Sequence, residues 1–158
     1  MDLEQQLAIL VNNAPQDGVT PRVIEQGVAP VLKVFAQQLQ HLEYYVIQTL
    51  DQGWVLTTLS NRATPNLAKK VIYAFSTLKD AYNFQGKSNP EVIAVLIPVT
   101  HILFQLFAMK QVDSIVFMER PGDLSTGKEV LCSDLQKLVN HQLQQFQNSL
   151  SNIPSNLA

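Results

Sequence analysis

The sequence predicts an α+β domain, a mainly antiparallel sheet flanked by helices in a single domain, and three stretches predict it. Val92 to Glu119, VIAVLIPVTHILFQLFAMKQVDSIVFME, is the most apolar part of the chain. It reads as strand, helix and strand: Val92–Ile97 is an apolar run of strand length, Thr100 caps a helix through Met109, and Asp113–Met118 is a second β-branched run. Tyr44–Leu50 and Trp54–Leu59 are β-branched and aromatic arms around Asp51-Gln52-Gly53, which predicts a hairpin. Helical periodicity on both sides of these strands supplies the covering layer.

Taken in order, Asp2 to Asn13 is a helix with Leu3, Leu7, Leu10 and Val11 on one face, an N-terminal outrigger ending before Pro15 and the Asp17-Gly18 turn. Thr20-Pro21 is a cap and first-turn signal. Pro30 removes an interior hydrogen bond, so Arg22–Ala29 and Val31–His41 are kinked or separate pieces, with Val28, Val31, Leu32, Phe35, Leu39 and Leu42 as their apolar stripe. After the hairpin and a polar loop, Ser60 to Asn66, a third strand runs Lys70–Phe75. Ser76 then caps a short helix, Thr77–Phe84, and Gly86 to Pro90 turns the chain into the central stretch. Beyond it come a loop, Arg120 to Gly127, a short strand, Lys128–Leu131, and a final helix capped by Ser133. Leu135, Leu138, Val139, Phe146 and Leu150 make the stripe of that helix. The organisation is therefore a helical segment 1–42, a sheet-containing core 43–132, a helix 133–150 and a fraying tail 151–158.

Val92–Met109 has the length of a membrane span, but Pro98, Thr100, His101 and Gln105 interrupt it, and a strand turning into a buried helix fits better. No membrane partner is expected. With 11 basic and 13 acidic residues and a net charge of −2, there is no electrostatic reason to expect nucleic acid. Only 15% of residues are charged, below the roughly 25% of an average domain. The polar surface is made instead of amides, 17 Gln and 10 Asn, which suits self-association because amides do not repel their own kind. One cysteine, Cys132, excludes an internal disulfide and fits a reducing compartment, and the acidic N-terminus lacks the basic region of a secretory signal. The expected location is the cytoplasm.

Gly122 to Lys128, GDLSTGK, has the GxxxxGK spacing in which backbone N–H groups wrap phosphates and a lysine neutralises them. Glu129 stands where such loops place the Ser or Thr that holds magnesium, so the spacing reads as an ordinary strand connection. His41, His101 and His141 have no metal-ligand spacing, and no CxxC exists for them to join. A lone His101 on an apolar helix reads as a boundary residue. Cys132 at a helix start would gain reactivity, but a small buried role outweighs it. Asp113, Glu119, Asp123 and Glu129 cluster in sequence without fixing a carboxylate pair. Trp54 with Tyr44, Tyr45 and Tyr73 suggests an aromatic platform, although apolar residues on both faces favour a sheet covered by helices.

The run AFSTLKDAYNF, followed later by VDSIVFMERPGD, resembles the N-terminal domain of the bacterial SseB family over about Tyr44 to Asp123. Phe75, Ser76, Leu78 and Ala81 match its first element, and Val112, Asp113, Ile115, Val116, Pro121 and Gly122 its second, with Arg120 standing where the family has Asn. The resemblance implies an α+β domain with no established active site.

No catalytic constellation, cofactor motif or metal set is legible, so the expected function is a non-enzymatic protein-interaction or adaptor domain. The expected partner is an unidentified protein or a second copy, as in a homodimer. The candidate surface is the uncharged stretch HQLQQFQNSL, with Gln142, Leu143, Gln145, Phe146 and Leu150 at its contact. The alternative is a small-molecule-binding domain or enzyme assembled from scattered residues, which a deep pocket at His101 or Arg120 would signal.

Overall fold

The computed structural model describes the backbone of residues 1–61, 64–85 and 90–151 and the side chains of residues 1–60, 68–85 and 90–148. Its elements run α1 (Leu3–Asn12), α2 (Thr20–Val23), a π-helical turn (Ile24–Val28), α3 (Ala29–Gln37), β1 (Glu43–Thr49), β2 (Thr57–Asn61), β3 (Thr64–Phe75), α4 (Leu78–Gln85), β4 (Val92–Pro98), α5 (Val99–Ala108), β5 (Ser114–Met118), β6 (Lys128–Leu131) and α6 (Cys132–Ser151). The strands form one sheet in the order β4-β1-β3-β5-β6, with β2 also paired to β3. Every pairing is antiparallel except β3 with β5. This is the α+β fold that the sequence predicts.

The strand, helix and strand between Val92 and Met118 fall where the apolar runs place them. Side-chain alternation divides the sheet into two faces. On one, Tyr44, Val46, Ile72, Ala74, Ile115, Phe117 and Val130 meet α1, α3, α5 and α6 in the main core. Ile102, Leu103 and Leu106 of α5 are fully buried there, each contributing about 1.5–3 kcal/mol of burial. On the other, Ile47, Phe75 and Met118 form a smaller cluster under Ala81 of α4 and Leu124 of the 119–127 loop.

Two helix starts differ from expectation. Thr100 does not cap α5: the cap position is Pro98, with no side-chain bond, and Thr100 lies inside the helix. Its N–H and hydroxyl both donate to Gln6 Oε1, at 3.1 and 2.9 Å. The Gln6 amide in turn donates to the carbonyls of Leu42 (2.9 Å) and Met1 (3.2 Å). Gln6 is fully buried, so this one side chain clasps α1, the start of β1 and the N-terminus of α5. The first helix is thus no outrigger; Gln6 and Leu7 are buried in the domain. At α4 the Thr77 hydroxyl accepts the Asp80 N–H (3.1 Å) and does the capping, while Ser76 Oγ is buried without a partner. Similarly, Thr20 is the first residue of α2, and Asp17 accepts from the Thr20 hydroxyl and from the Thr20 and Val19 N–H groups, which in that order hold its carboxyl down at about 2.

The hairpin is real but shallow. Thr49 N–H donates to the Gly53 carbonyl (2.7 Å) and Val55 N–H to the Ile47 carbonyl (2.9 Å), with a bridge at Gln48 and Trp54. The returning arm then leaves β1, because Tyr45 and Val46 are already opposite Phe75 and Ala74 of β3. Thr57–Asn61 pairs instead with β3, whose first half, from Thr64, extends beyond the register of β5. The loop expected over Ser60 to Asn66 is thus largely strand, apart from residues 62–63, which lie outside the described residues.

Pro30 acts as the sequence implies, and a π-helical turn immediately before it absorbs the irregularity. The carbonyl at i−4, Gln26, which no proline N–H can reach, accepts from Gln142 Nε2 of α6 at 3.3 Å. In α6 itself Leu135 and Val139 are buried, but Leu138 is 44% exposed, so it leaves the predicted stripe. The helix begins at Cys132 and runs to Ser151; the tail beyond it lies outside the described residues.

Candidate functional site

The strands at the two ends of the path β4-β1-β3-β5-β6 are β4 and β6; β2, a short strand paired only to β3 among the described residues, leaves a further free side. β6 is four residues long, KEVL, and starts with a lysine and a glutamate. β4 is seven residues long, VIAVLIP, and carries no charge. Its inner side pairs with β1 over its whole length, from Glu43 opposite Pro98 to Thr49 opposite Val92. Ile93 and Leu96 are 48% and 46% exposed, one on each face of the strand. Among the described residues no strand pairs with its outer side.

The direction of its backbone groups follows from the ladder. Val99 N–H donates to the Leu42 carbonyl (2.9 Å), and Val99 and Leu42 continue the β1–β4 register by one step. Antiparallel alternation then turns the N–H and C=O of Ile97, Val95 and Ile93 toward β1, and those of Leu96, Ala94 and Val92 outward. Pro98 also falls on the outward side, where its missing N–H takes nothing from the sheet. The main-chain groups of Val92, Ala94 and Leu96 therefore form an open template for one more strand.

The surface expected on α6 is partly used within the chain. Leu143 packs against the main core, and a Cβ added to Gly27 would lie 2.1 Å from its Cδ2, so glycine is what lets α6 approach the π-helical turn. Gln142 is bonded to Gln26 as described, Gln145 Nε2 lies 3.1 Å from His141 Nε2 in the same helix, and Phe146 is half-buried. The Leu150 side chain lies outside the described residues.

The other singled-out residues have local partners. His101 Nε2–H donates to the Gln6 carbonyl (3.2 Å), and His41 Nε2–H to the Glu119 carbonyl (2.9 Å). The Glu119 carboxylate accepts from the Tyr44 hydroxyl and from the Gln40 N–H (2.7 Å). Tyr44 is fully buried, and burial followed by the Glu119 carboxylate pushes its hydroxyl far above the ordinary tyrosine range. Arg120 lies on the rim of an open recess of about 350 Å³ with Gln38, Gln40, Thr126 and Lys128, whose ammonium donates to the Gln38 carbonyl (3.2 Å). Cys132 is buried, its thiol donates to the Leu106 carbonyl (3.4 Å), and burial raises its pKa, which is the inert direction.

The GxxxxGK spacing divides into unrelated parts. Gly122 has φ +81°, and its N–H donates to the buried Asp80 carboxylate (2.9 and 3.1 Å), so an anion of the protein already takes that donor. Gly127 is needed for packing, since a Cβ there would lie 2.4 Å from Val116 Cγ1. Lys128 opens a strand, where a phosphate loop requires a helix N-terminus. The aromatic platform also separates: Tyr44 and Trp54 are on the helix-covered face, Tyr45 and Tyr73 on the other.

Among the described residues, no group of three His, Cys, Asp or Glu side chains converges to hold a metal ion, and no helix is long and apolar enough to cross a membrane. The signal for the β4 edge was present in sequence as the unbroken apolar run of Val92–Ile97. Such a run implies burial, because periodicity does not distinguish a central strand from an unguarded outer one. Comparison with protein-family models and with curated proteins gives no match for this chain.

Proposed function

We propose that this chain is a non-enzymatic protein-interaction or adaptor domain that receives an extended strand along the outer edge of β4. The observation that supports this reading is the contrast between an uncharged seven-residue edge, with Ile93 and Leu96 exposed, and the habit of globular proteins to guard such edges with charge or brevity. Strand addition needs no dedicated pocket: main-chain bonds give affinity, and side chains alternating across the edge give selectivity. Among the described residues, the buried polar side chains other than Ser76 are satisfied within the chain, which fits a scaffold better than a reaction centre. Its cytoplasmic setting is part of the proposal, supported by the single buried thiol, and so is the SseB-like resemblance, which implies an α+β domain of this kind.

The test is selection of displayed random peptides against the chain, followed by amide exchange at Val92, Ala94 and Leu96. Selected peptides are expected to be extended and apolar at alternate positions, to slow exchange of those amides, and to lose at least tenfold in affinity for the Leu96→Lys variant. Peptides that bind without protecting the β4 amides would sink the reading.

A further inference from the structure

We infer that the strand received by β4 is the β4 strand of a second copy, paired antiparallel about a twofold axis through Val95. The inference rests on the strand-addition reading above and adds the occupant and its register. Charge is the first reason. From Val92 to Pro98 the strand has no ionisable side chain, so self-pairing sets no like charges opposite each other.

Closure is the second reason. A twofold contact uses the same edge of both copies and leaves a β6 edge at each end of the joined sheet. Those ends are short and begin with Lys128 and Glu129, which discourages a third copy. A β4 edge meeting the β6 edge of another copy would instead build a ring or an open filament, and the charged residues of β6 oppose it.

Register is the third. Outward groups must meet outward groups, and of the registers that allow this the one centred on Val95 pairs all seven residues, so Ala94 comes opposite Leu96 of the second copy, each donating its N–H to the other's carbonyl. Val92 N–H reaches the Pro98 carbonyl, which needs no donor from the proline. This sets the exposed Leu96 beside the small Ala94 and covers the exposed Ile93 with Ile97 of the other copy, while Val95 meets itself. Seven residues span roughly 23 Å. A ribbon of that size falls short of a standard interface of about 1,600 Å², so the expected dissociation constant is on the order of micromolar.

The experiment combines mass across a dilution series with site-directed disulfides. Light scattering of the full chain is expected to show monomer passing to dimer, with at least a tenfold weaker dimer for Leu96→Lys. Under mild oxidation Val95→Cys is expected to form a covalent dimer, because opposed residues of a non-hydrogen-bonded pair have Cα atoms roughly 4.5 Å apart, within disulfide reach. Ile93→Cys is more exposed but faces position 97 of the other copy, so it is expected to remain unlinked. Wild type, whose Cys132 is buried, is the control. Equal linking of Ile93→Cys and Val95→Cys, or a dimer that Leu96→Lys does not weaken, overturns the inference. Monomer at every concentration overturns it as well; if selected peptides still protect the β4 amides, strand addition stands and only the second copy is wrong.

Discussion

β4 and β6, the end strands of this sheet, present the same backbone chemistry and treat it in opposite ways. β6 is short, and its Glu129 forms an ion pair with Lys69 of β3 and accepts the Ser114 hydroxyl (2.6 Å). β4 is nearly twice as long, bare of charge, and has two large apolar side chains in water. The difference teaches that exposure alone does not mark a binding element; what marks it is exposure without the guards that the same molecule uses elsewhere. It also separates two kinds of anchoring. β4 is held at its end by the buried Gln6 clasp on the α5 N-terminus, whereas the polar anchors of β6 are a part-exposed ion pair and one hydroxyl.

The sharpest way to test that division is to remove one anchor from each edge. Gln6→Ala leaves the Thr100 N–H and the Thr100 hydroxyl without their buried partner, while the Leu42 carbonyl keeps the Val99 N–H, and is expected to cost about 2–4 kcal/mol by urea unfolding. Lys69→Ala at the half-exposed pair is expected to cost under about 1 kcal/mol. Equal losses would show that the clasp is not the stronger anchor.

That asymmetry also explains how much could be read beforehand. The strands and helix between Val92 and Met118 were legible because their apolar runs are local and long. Thr100 was misread as a cap because a threonine after a proline looks the same whether its own hydroxyl caps the helix or a glutamine 94 positions earlier does. The depth of the hairpin was illegible for a similar reason: whether Trp54–Leu59 stays on β1 depends on how much of that edge β3 has taken. Gln142 looked like free surface, and only the carbonyl exposed by Pro30, across the chain, gives it a partner. Local periodicity reported the elements, and long-range competition for backbone groups decided their neighbours.

A second prediction concerns how β6 reaches the sheet. Gly127 precedes it in close contact with Val116, Met118 and the Phe117 carbonyl, so Gly127→Ala is expected to destabilise by about 1–3 kcal/mol through crowding. Gly122→Ala, where φ is +81° and the space is open, acts through backbone strain alone and is expected to cost about 1 kcal/mol. Thermal unfolding of both variants separates packing from conformation.

Removing the guards from β6 should make it behave like β4. In Lys128→Val with Glu129→Val, the short strand gains two β-branched residues and loses its charges, and the buried Ser114 hydroxyl loses its acceptor, so a stability loss of about 1–3 kcal/mol is expected. The expected consequence is assembly beyond a dimer, seen as growth of sedimenting species with concentration. If the double variant sediments like wild type, charge is not what closes this edge.

The smallest expected effect is also the one that most directly separates the edges, because only β6 has a titratable side chain to respond to pH. The Lys69 ammonium, then the Ser114 hydroxyl, holds the Glu129 carboxyl below the usual glutamate range. A carboxyl depressed in the folded state binds its proton more tightly when unfolded, so its contribution is full above the unfolded value of about 4.3 and is lost as pH falls through the folded one. Since the pair is more than a third exposed, the contribution is expected to stay below about 1 kcal/mol after solvent screening. Urea midpoints of wild type and Glu129→Gln should therefore differ at pH 7 and converge toward pH 3; a gap that stays constant would mean that Glu129 acts through shape and not charge. Over the part of that range where the fold persists, strand addition at β4 should keep its affinity, since Val92 to Pro98 contains nothing that titrates.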